Sequence, residues 1–317
     1  MRYTVTQAED GMTVKEVLLG SIGLSVAFLK HLKFIENGIM LDGEKVTVRR
    51  VLRAGDVLEL ATENEKLGSR LTPTDLPLDI IYEDADLVVP SKSADMPTHP
   101  SHNHHGDTLA DALAYYYRNE SEPFVFRPIN RLDRNTSGLT LIAKNRISAA
   151  RLAAFMRDGK IKKLYVAILD GTLPRDSGSI ETYLRRTGES IIVREVCDEN
   201  GGGDYALTHY KIIATSERYS LVVAVPETGR THQLRVHFSS LGCAILGDDM
   251  YGQPSELISR HALHALSLSF PHPTKSETLS CFAPPPEDMA KVIRSQFGEQ
   301  TLEYLLSFTT FSFKKEL

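Results

Sequence analysis

Residues 127–143 read Arg127-Pro128-Ile129-Asn130-Arg131-Leu132-Asp133-Arg134-Asn135-Thr136-Ser137-Gly138-Leu139-Thr140-Leu141-Ile142-Ala143. One carboxylate sits between two guanidinium groups, followed by small turn formers and then an uninterrupted apolar run. A short apolar run after a polar turn reads as a buried strand, and the turn delivers polar side chains to a sheet edge. Taken alone, Asp133 in such a loop is a surface ion pair worth ~0–1 kcal/mol. The rest of the chain decides whether it is more.

Further strands are expected at Ile80–Tyr82, Leu87–Val89, Leu164–Leu169, Ser190–Val196, Leu207–Ala214 and Tyr219–Val225, with helices at Leu109–Tyr117, Ser148–Arg157 and Thr231–Leu241. Neighbouring strands outnumber strand–helix alternations, which predicts an α+β fold on a mixed, largely antiparallel sheet. Upstream, Val14–Leu19 and Ala27–Ile35 carry helical periodicity and Asn37-Gly38 ends the second helix. Ile39–Leu41 and Lys45–Val48 flank Asp42-Gly43 as a hairpin, and Val57–Leu60 closes the unit as a strand. Polar residues with Gly68, Pro73 and Pro77 then form a linker. The expected division is therefore 1–62, linker 63–77, and 78–317, with Phe297–Leu317 packing as a closing helix and strand.

The chain has 317 residues, 42% hydrophobic and 24% charged, and a net charge of −5. That is the composition of a globular protein long enough for a real core. No run approaches the ~20 apolar residues of a membrane span, so a cytoplasmic location without membrane contact is expected. Cys197, Cys243 and Cys281 are far apart and read as buried free thiols. Net acidity gives no global footprint for nucleic acid, so any such site must be a local basic patch. Basic residues do cluster at Lys30, Lys33, Arg49, Arg50 and Arg53, and again from Lys144 to Lys163.

Common catalytic signatures are missing. Gly201-Gly202-Gly203-Asp204 lacks the lysine of a phosphate loop and reads as a turn, and Ser137 is not in a Gly-x-Ser-x-Gly elbow. His99, His102, His104 and His105 share one polar loop with nothing to fix metal geometry, so no metal is expected there.

The motifs fall into an order that resembles the RluA-type RNA pseudouridine synthases. Arg131–Gly138 matches the family's catalytic loop, Lys163-Leu164-Tyr165-Val166-Ala167 its second motif, and Gly229–His237 its third. Leu246–Gly252 and Leu263-His264-Ala265 complete the series. The first unit resembles the alpha-L RNA-binding domain named after a small-subunit ribosomal protein.

The resemblance implies isomerisation of uridine to pseudouridine in structured RNA, with ribosomal RNA favoured and transfer RNA the alternative, and with no cofactor. It implies Asp133 as the initiating carboxylate, Arg235 as its partner and Tyr165 against a flipped-out base, since a paired uracil is unreachable. On the expected helix His232, Arg235 and Ser239 share the face toward Asp133, while Leu234, Phe238 and Leu241 are buried. RNA contacts are implied for Arg131, Arg134, Lys163, Arg230, His232 and Gln233, for the helix Ser148–Arg157, and for Lys30 and Lys33 in the first unit.

Two departures stand out. Asn130 replaces a usual histidine, and Ser91-Lys92-Ser93-Ala94-Asp95 replaces Asn-Lys-Pro-x-Gly. Two other classes of function are a non-catalytic RNA-binding assembly factor and a hydrolase pairing Asp133 with Asp248 or Asp249. A monomer is expected.

Overall fold

The computed structural model describes residues 2–24, 26–61, 71–101, 104–120, 124–190 and 192–307. In chain order the elements begin with β1 (Arg2–Thr4), α1 (Val14–Glu16) running on into a π turn (Val17–Ser21), and α2 (Val26–Phe34). Then come β2 (Ile39–Leu41), β3 (Glu44–Lys45), β4 (Val57–Leu60), β5 (Asp79–Glu83), β6 (Leu87–Lys92) and α3 (Leu109–Tyr116). Next are β7 (Arg127–Pro128), β8 (Ser137–Leu139), β9 (Ile142–Ala143), α4 (Arg146–Arg157), β10 (Lys162–Asp170), β11 (Ser177–Arg186) and β12 (Arg194–Cys197). The chain continues with β13 (Asp204–Thr215), β14 (Tyr219–Pro226), α5 (Gln233–Ser240), β15 (Leu263–Pro271), β16 (Thr278–Phe282), α6 (Glu287–Phe297) and α7 (Glu299–Leu306).

Among the described residues there are two sheets: a small one ordered β1-β4-β2-β3, and a large one ordered β12-β11-β13-β14-β10-β15-β8-β6-β9-β7 with β16 beside β15 and β5 beside β6. Among the described residues of the large sheet, β15 and β8 pair in parallel and the other neighbouring strands are antiparallel. The fold is α+β on a mixed, mostly antiparallel sheet, as expected. The apolar run Leu139–Ala143 is not one strand: Leu139 belongs to β8 and Ile142 to β9, both paired with β6.

Strand β15 is the hinge of the architecture. Its first residues pair with β10 on one side and β8 on the other, so Ala265 lies opposite both Tyr165 and Gly138. A Cβ on Gly138 would come within 2.3 Å of the Ala265 carbonyl oxygen, and Gly138 has φ of 109°. Only glycine lets β8 come this close to β15.

Helices α5, α6 and α7 cover the β10–β14 half through Leu234, Phe238, Met289, Ile293, Leu302 and Leu305. Leu241, expected buried, caps α5 and is 40% exposed, because the helix ends at Ser240 and the chain turns out to solvent. Residues 63–70 of the expected linker, and Phe308, Phe311 and Phe313 of the expected closing strand, lie outside the described residues.

The amino-terminal elements close around Val14, Leu18, Leu32, Leu41, Leu58 and Leu60, and Ile147 of α4 belongs to that same core. Asp42 and Gly43 both take positive φ, as a tight hairpin turn demands. Arg151 of α4 lies over the Tyr3 ring at 5.1 Å and Arg146 over Phe28 at 5.1 Å. This corrects the expectation that α4 as a whole meets phosphate: of its cations, Arg157 lines the open cleft described below, whereas Arg146 and Arg151 face the amino-terminal unit.

Candidate active site

The loop between β7 and β8 is tied at almost every residue. Asn130 donates its amide to the Leu139 carbonyl at 3.3 Å and accepts the Leu141 N–H at 2.7 Å. Asparagine thus keeps the loop's hydrogen bonds where the resembled family has histidine. The Leu132 carbonyl accepts from the Thr98 hydroxyl at 2.8 Å, the Arg134 carbonyl from Lys92 Nζ at 3.0 Å, and the Asn135 carbonyl from Arg260 Nη1 at 3.1 Å. Thr136 Oγ1 pairs with His261 Nε2 at 2.8 Å and Ser137 Oγ with His264 Nδ1 at 2.9 Å. What this frame leaves facing outward is Arg131, Asp133 and Arg134.

Asp133 meets helix α5 across a cleft. Arg235 Nη1 stands 3.5 Å from Asp133 Oδ2, and His232 Nε2 stands 3.9 Å from Asp133 Oδ1. The Arg235 guanidinium is itself held by a bidentate pair with Asp248, both bonds 2.7 Å, and lies 5.0 Å from the Tyr251 ring. Asp248 also accepts the N–H groups of Met250 and Tyr251 at 3.1 Å each. Burial pushes the Asp248 carboxyl up, but the Arg235 pairing and these bonds outweigh it and hold the group below its ordinary value. Asp248 therefore stays ionised and fixes the fork of Arg235, leaving one nitrogen for Asp133.

His232 sits in a left-handed conformation, φ 58°, at the start of α5. The Tyr251 hydroxyl accepts the Arg194 N–H at 2.9 Å and pairs with His232 Nδ1 at 2.8 Å, which leaves Nε2 toward Asp133. Burial holds the ring below its ordinary pKa, so it is neutral near pH 7.

The cleft measures about 920 Å³, and among the described residues six cations line it: Arg131, Arg134, Arg157, Lys163, Arg230 and Arg235. Asp133 and Glu227 are the two carboxylates on its wall. The protein is acidic overall, yet this surface is basic. Tyr165, from β10, forms part of the wall and is 8% exposed. Burial, then the nearby Asp133 charge, push its phenol well up, so it presents a neutral ring.

A family model described as RNA pseudouridylate synthase matches residues 86–240. A Bacillus subtilis relative named "Uncharacterized RNA pseudouridine synthase YjbO" is 35% identical over 285 residues, 90% of this chain and 99% of the relative. The chain belongs to the RNA pseudouridine synthase family. The Zymomonas mobilis protein named ribosomal large subunit pseudouridine synthase D is 37% identical across 68% of this chain and 72% of its own. Human RNA Pseudouridylate Synthase Domain Containing 1 superposes with a TM-score of 0.55 at 28% identity, covering 70% of this chain and 87% of that one.

This pseudouridine synthase brings Asp133, Tyr165 and Arg235, named from sequence, to one cleft, with Arg131, Arg134, Lys163, Arg230, His232 and Gln233 around them. Gln233 needs correction as an RNA contact. Its carbonyl accepts from the Thr228 hydroxyl and the Arg230 N–H, and its amide donates to the Leu207 carbonyl and Thr208 hydroxyl, at 2.7–3.0 Å. The side chain is spent on shaping the turn into α5. Arg230 donates to the Tyr205 carbonyl at 2.9 Å and Arg134 pairs with Asp95 at 2.6 Å, both from exposed positions. Burial lowers Lys163 to about 8, and its Nζ lies 3.4 Å from the Thr228 carbonyl. Lys30 and Lys33 are exposed on α2, outside the cleft.

The paired-carboxylate hydrolase fails on geometry: Asp248 is fully buried behind Arg235, and exposed Asp249 does not line the cleft. Of the loop histidines, His99 lines the cleft, His104 binds Asp107 at 2.5 Å, and His102 lies outside the described residues. Sequence reading missed the anchors Thr98, Lys92, Asp248, Tyr251 and His261. Asp248 and Tyr251 stood in a matched motif, but nothing in their spacing pointed to Arg235.

Proposed function

We propose that this protein isomerises uridines in structured RNA to pseudouridine, with ribosomal RNA its favoured substrate. The observation that carries the reading is a carboxylate, Asp133, held by a tied loop 3.5 Å from a buried arginine in a basic cleft. The reaction breaks the N1–C1′ bond, joins C5 to C1′, loses the C5 hydrogen as a proton and returns one to N1. Nothing is gained or lost overall, so the residues' task is to start bond cleavage and hold the detached base.

Asp133 starts it, by attack on sugar or base or by taking a sugar proton. Arg235 gives that carboxylate a fixed positive partner once RNA has excluded water, when low dielectric strengthens the attraction. Tyr165 offers the flipped base a neutral face. Arg131, Arg134, Arg157, Lys163 and Arg230 take backbone phosphates, which position RNA without reading its sequence. Residues 1–62 act as a second RNA-binding unit through Lys30 and Lys33, joined by 63–77 to a synthase unit of 78–317. The protein acts as a cytoplasmic monomer. RNA from cells lacking it should miss pseudouridine at defined sites that return on complementation; an unchanged pseudouridine map would contradict the reading.

A further inference from the structure

Two buried cations stand behind the loop, outside the cleft. Lys92 is 1% exposed, and its ammonium donates to the carbonyls of Ser93 at 2.7 Å, Met96 at 2.7 Å and Arg134 at 3.0 Å. Arg260 is 6% exposed; Nη1 reaches the carbonyls of Asn135, His261 and Leu263 at 3.1–3.4 Å. Its other two nitrogens grip Asp288, in the first turn of α6, at 2.7 and 3.0 Å. Burying a lysine with no carboxylate partner costs stability, and an apolar side chain of like volume would serve the core as well. Such a group makes sense where it fixes a geometry.

In this loop Lys92 holds the Arg134 carbonyl and Arg260 the Asn135 carbonyl, those of the two residues directly after Asp133. The Thr136 N–H closes the turn on the Asp133 carbonyl at 3.1 Å. Both peptide oxygens after the carboxylate are therefore pinned from behind, and the Asp133 side chain can only leave toward the cleft. Burial lowers Lys92 to about 7, and the Asp133 charge acts against that shift in favour of the ammonium.

We propose that Lys92 and the Arg260–Asp288 pair are positioning residues that aim Asp133, so that carboxy-terminal helix α6 is part of the reaction apparatus. The inference rests on the isomerase reading above. Loss of the aim should slow the step that Asp133 starts and leave RNA affinity alone, because neither cation lines the cleft. A misplacement of ~1 Å costs about 10²-fold in rate.

The test measures single-turnover tritium release from RNA labelled at uridine C5, and RNA affinity, for wild type, Arg260→Lys, Asp288→Asn and Asp288→Glu. Asp288 is 44% exposed on its side chain, so its variants disturb the core less than changes at buried Arg260. We expect Arg260→Lys to lower the rate about 10²-fold and Asp288→Asn less, with affinity within twofold and Asp288→Glu restoring most of the rate. Wild-type rates in the Asp288→Asn and Arg260→Lys proteins overturn the proposal. So do losses that merely track the folded fraction and vanish on cooling. Inactive wild type would instead sink the isomerase reading itself.

Discussion

The cleft and the exposed face of α2 are both basic, yet their charges are held differently. In the cleft Arg235 is 5% exposed and fixed by Asp248, with Asp133 at 3.5 Å. On α2, Lys30 and Lys33 point into solvent beside Phe34, which is 90% exposed. A fixed, desolvated charge can act on a reacting group, because low dielectric strengthens it and no reorganisation is needed. A solvated lysine acts as a screened point charge, which suits loose attraction to phosphate. The two regions should therefore fail differently when altered.

Apart from Asp133 itself, the largest effect is expected at Arg235. Arg235→Ala leaves Asp248 buried without its partner and Asp133 without its cation. Turnover should fall about 10²–10³-fold and stability by about 3–5 kcal/mol; Asp248→Asn should lose turnover too, read in steady-state tritium release. A near-normal rate for both would move the supporting role to Arg230.

Next is Gly138, whose positive φ and contact with the Ala265 backbone leave no room for a side chain. Gly138→Ala should cost about 2–5 kcal/mol, measured by urea unfolding, and should carry the cleft down with it. An unchanged midpoint would mean that β8 and β15 are not packed as described.

Acid should separate the regions further. Burial lowers His264 from its ordinary 6.5 to about 4, while its Nε2 donates to the Ala283 carbonyl at 3.0 Å. Between those values the unfolded chain binds a proton that the folded one refuses. Stability is thus full above pH 6.5 and falls as pH drops toward 4, by up to ~3 kcal/mol from this residue. His264→Gln should flatten that slope in urea unfolding between pH 7 and 4.5; an equal slope in both proteins would remove His264 as its source.

The smallest effect belongs to α2. Lys30→Ala with Lys33→Ala should leave single-turnover rates intact, weaken RNA binding a few-fold, and reduce the salt slope of affinity by roughly 1–2. A changed rate with unchanged affinity would reverse the contrast between the regions.

How much of this was legible in sequence follows the same division. Strands with apolar runs, such as β10 and β14, were read almost to their ends, because burial on both faces leaves a continuous signal. Strand β11, Ser177–Arg186, was missed: it is largely exposed and carries few apolar residues. Asp133, Tyr165 and Arg235 were legible through ordered motifs. Their supports were not, because Arg235 with Asp248, and the loop with Lys92 and Arg260, meet only through the sheet. Gln233 was misread since a matched motif marks a residue without saying whether it faces RNA or its own turn. Arg151 looked like a phosphate ligand because its place over Tyr3 depends on a unit more than 100 residues upstream.

The most direct test of the central claim is tritium release from RNA labelled at uridine C5, comparing wild type with Asp133→Asn under conditions where both bind RNA. Release by wild type alone, with affinity retained in the variant, is the predicted result. Release by Asp133→Asn at a rate near wild type would contradict the assignment of the reaction to this carboxylate.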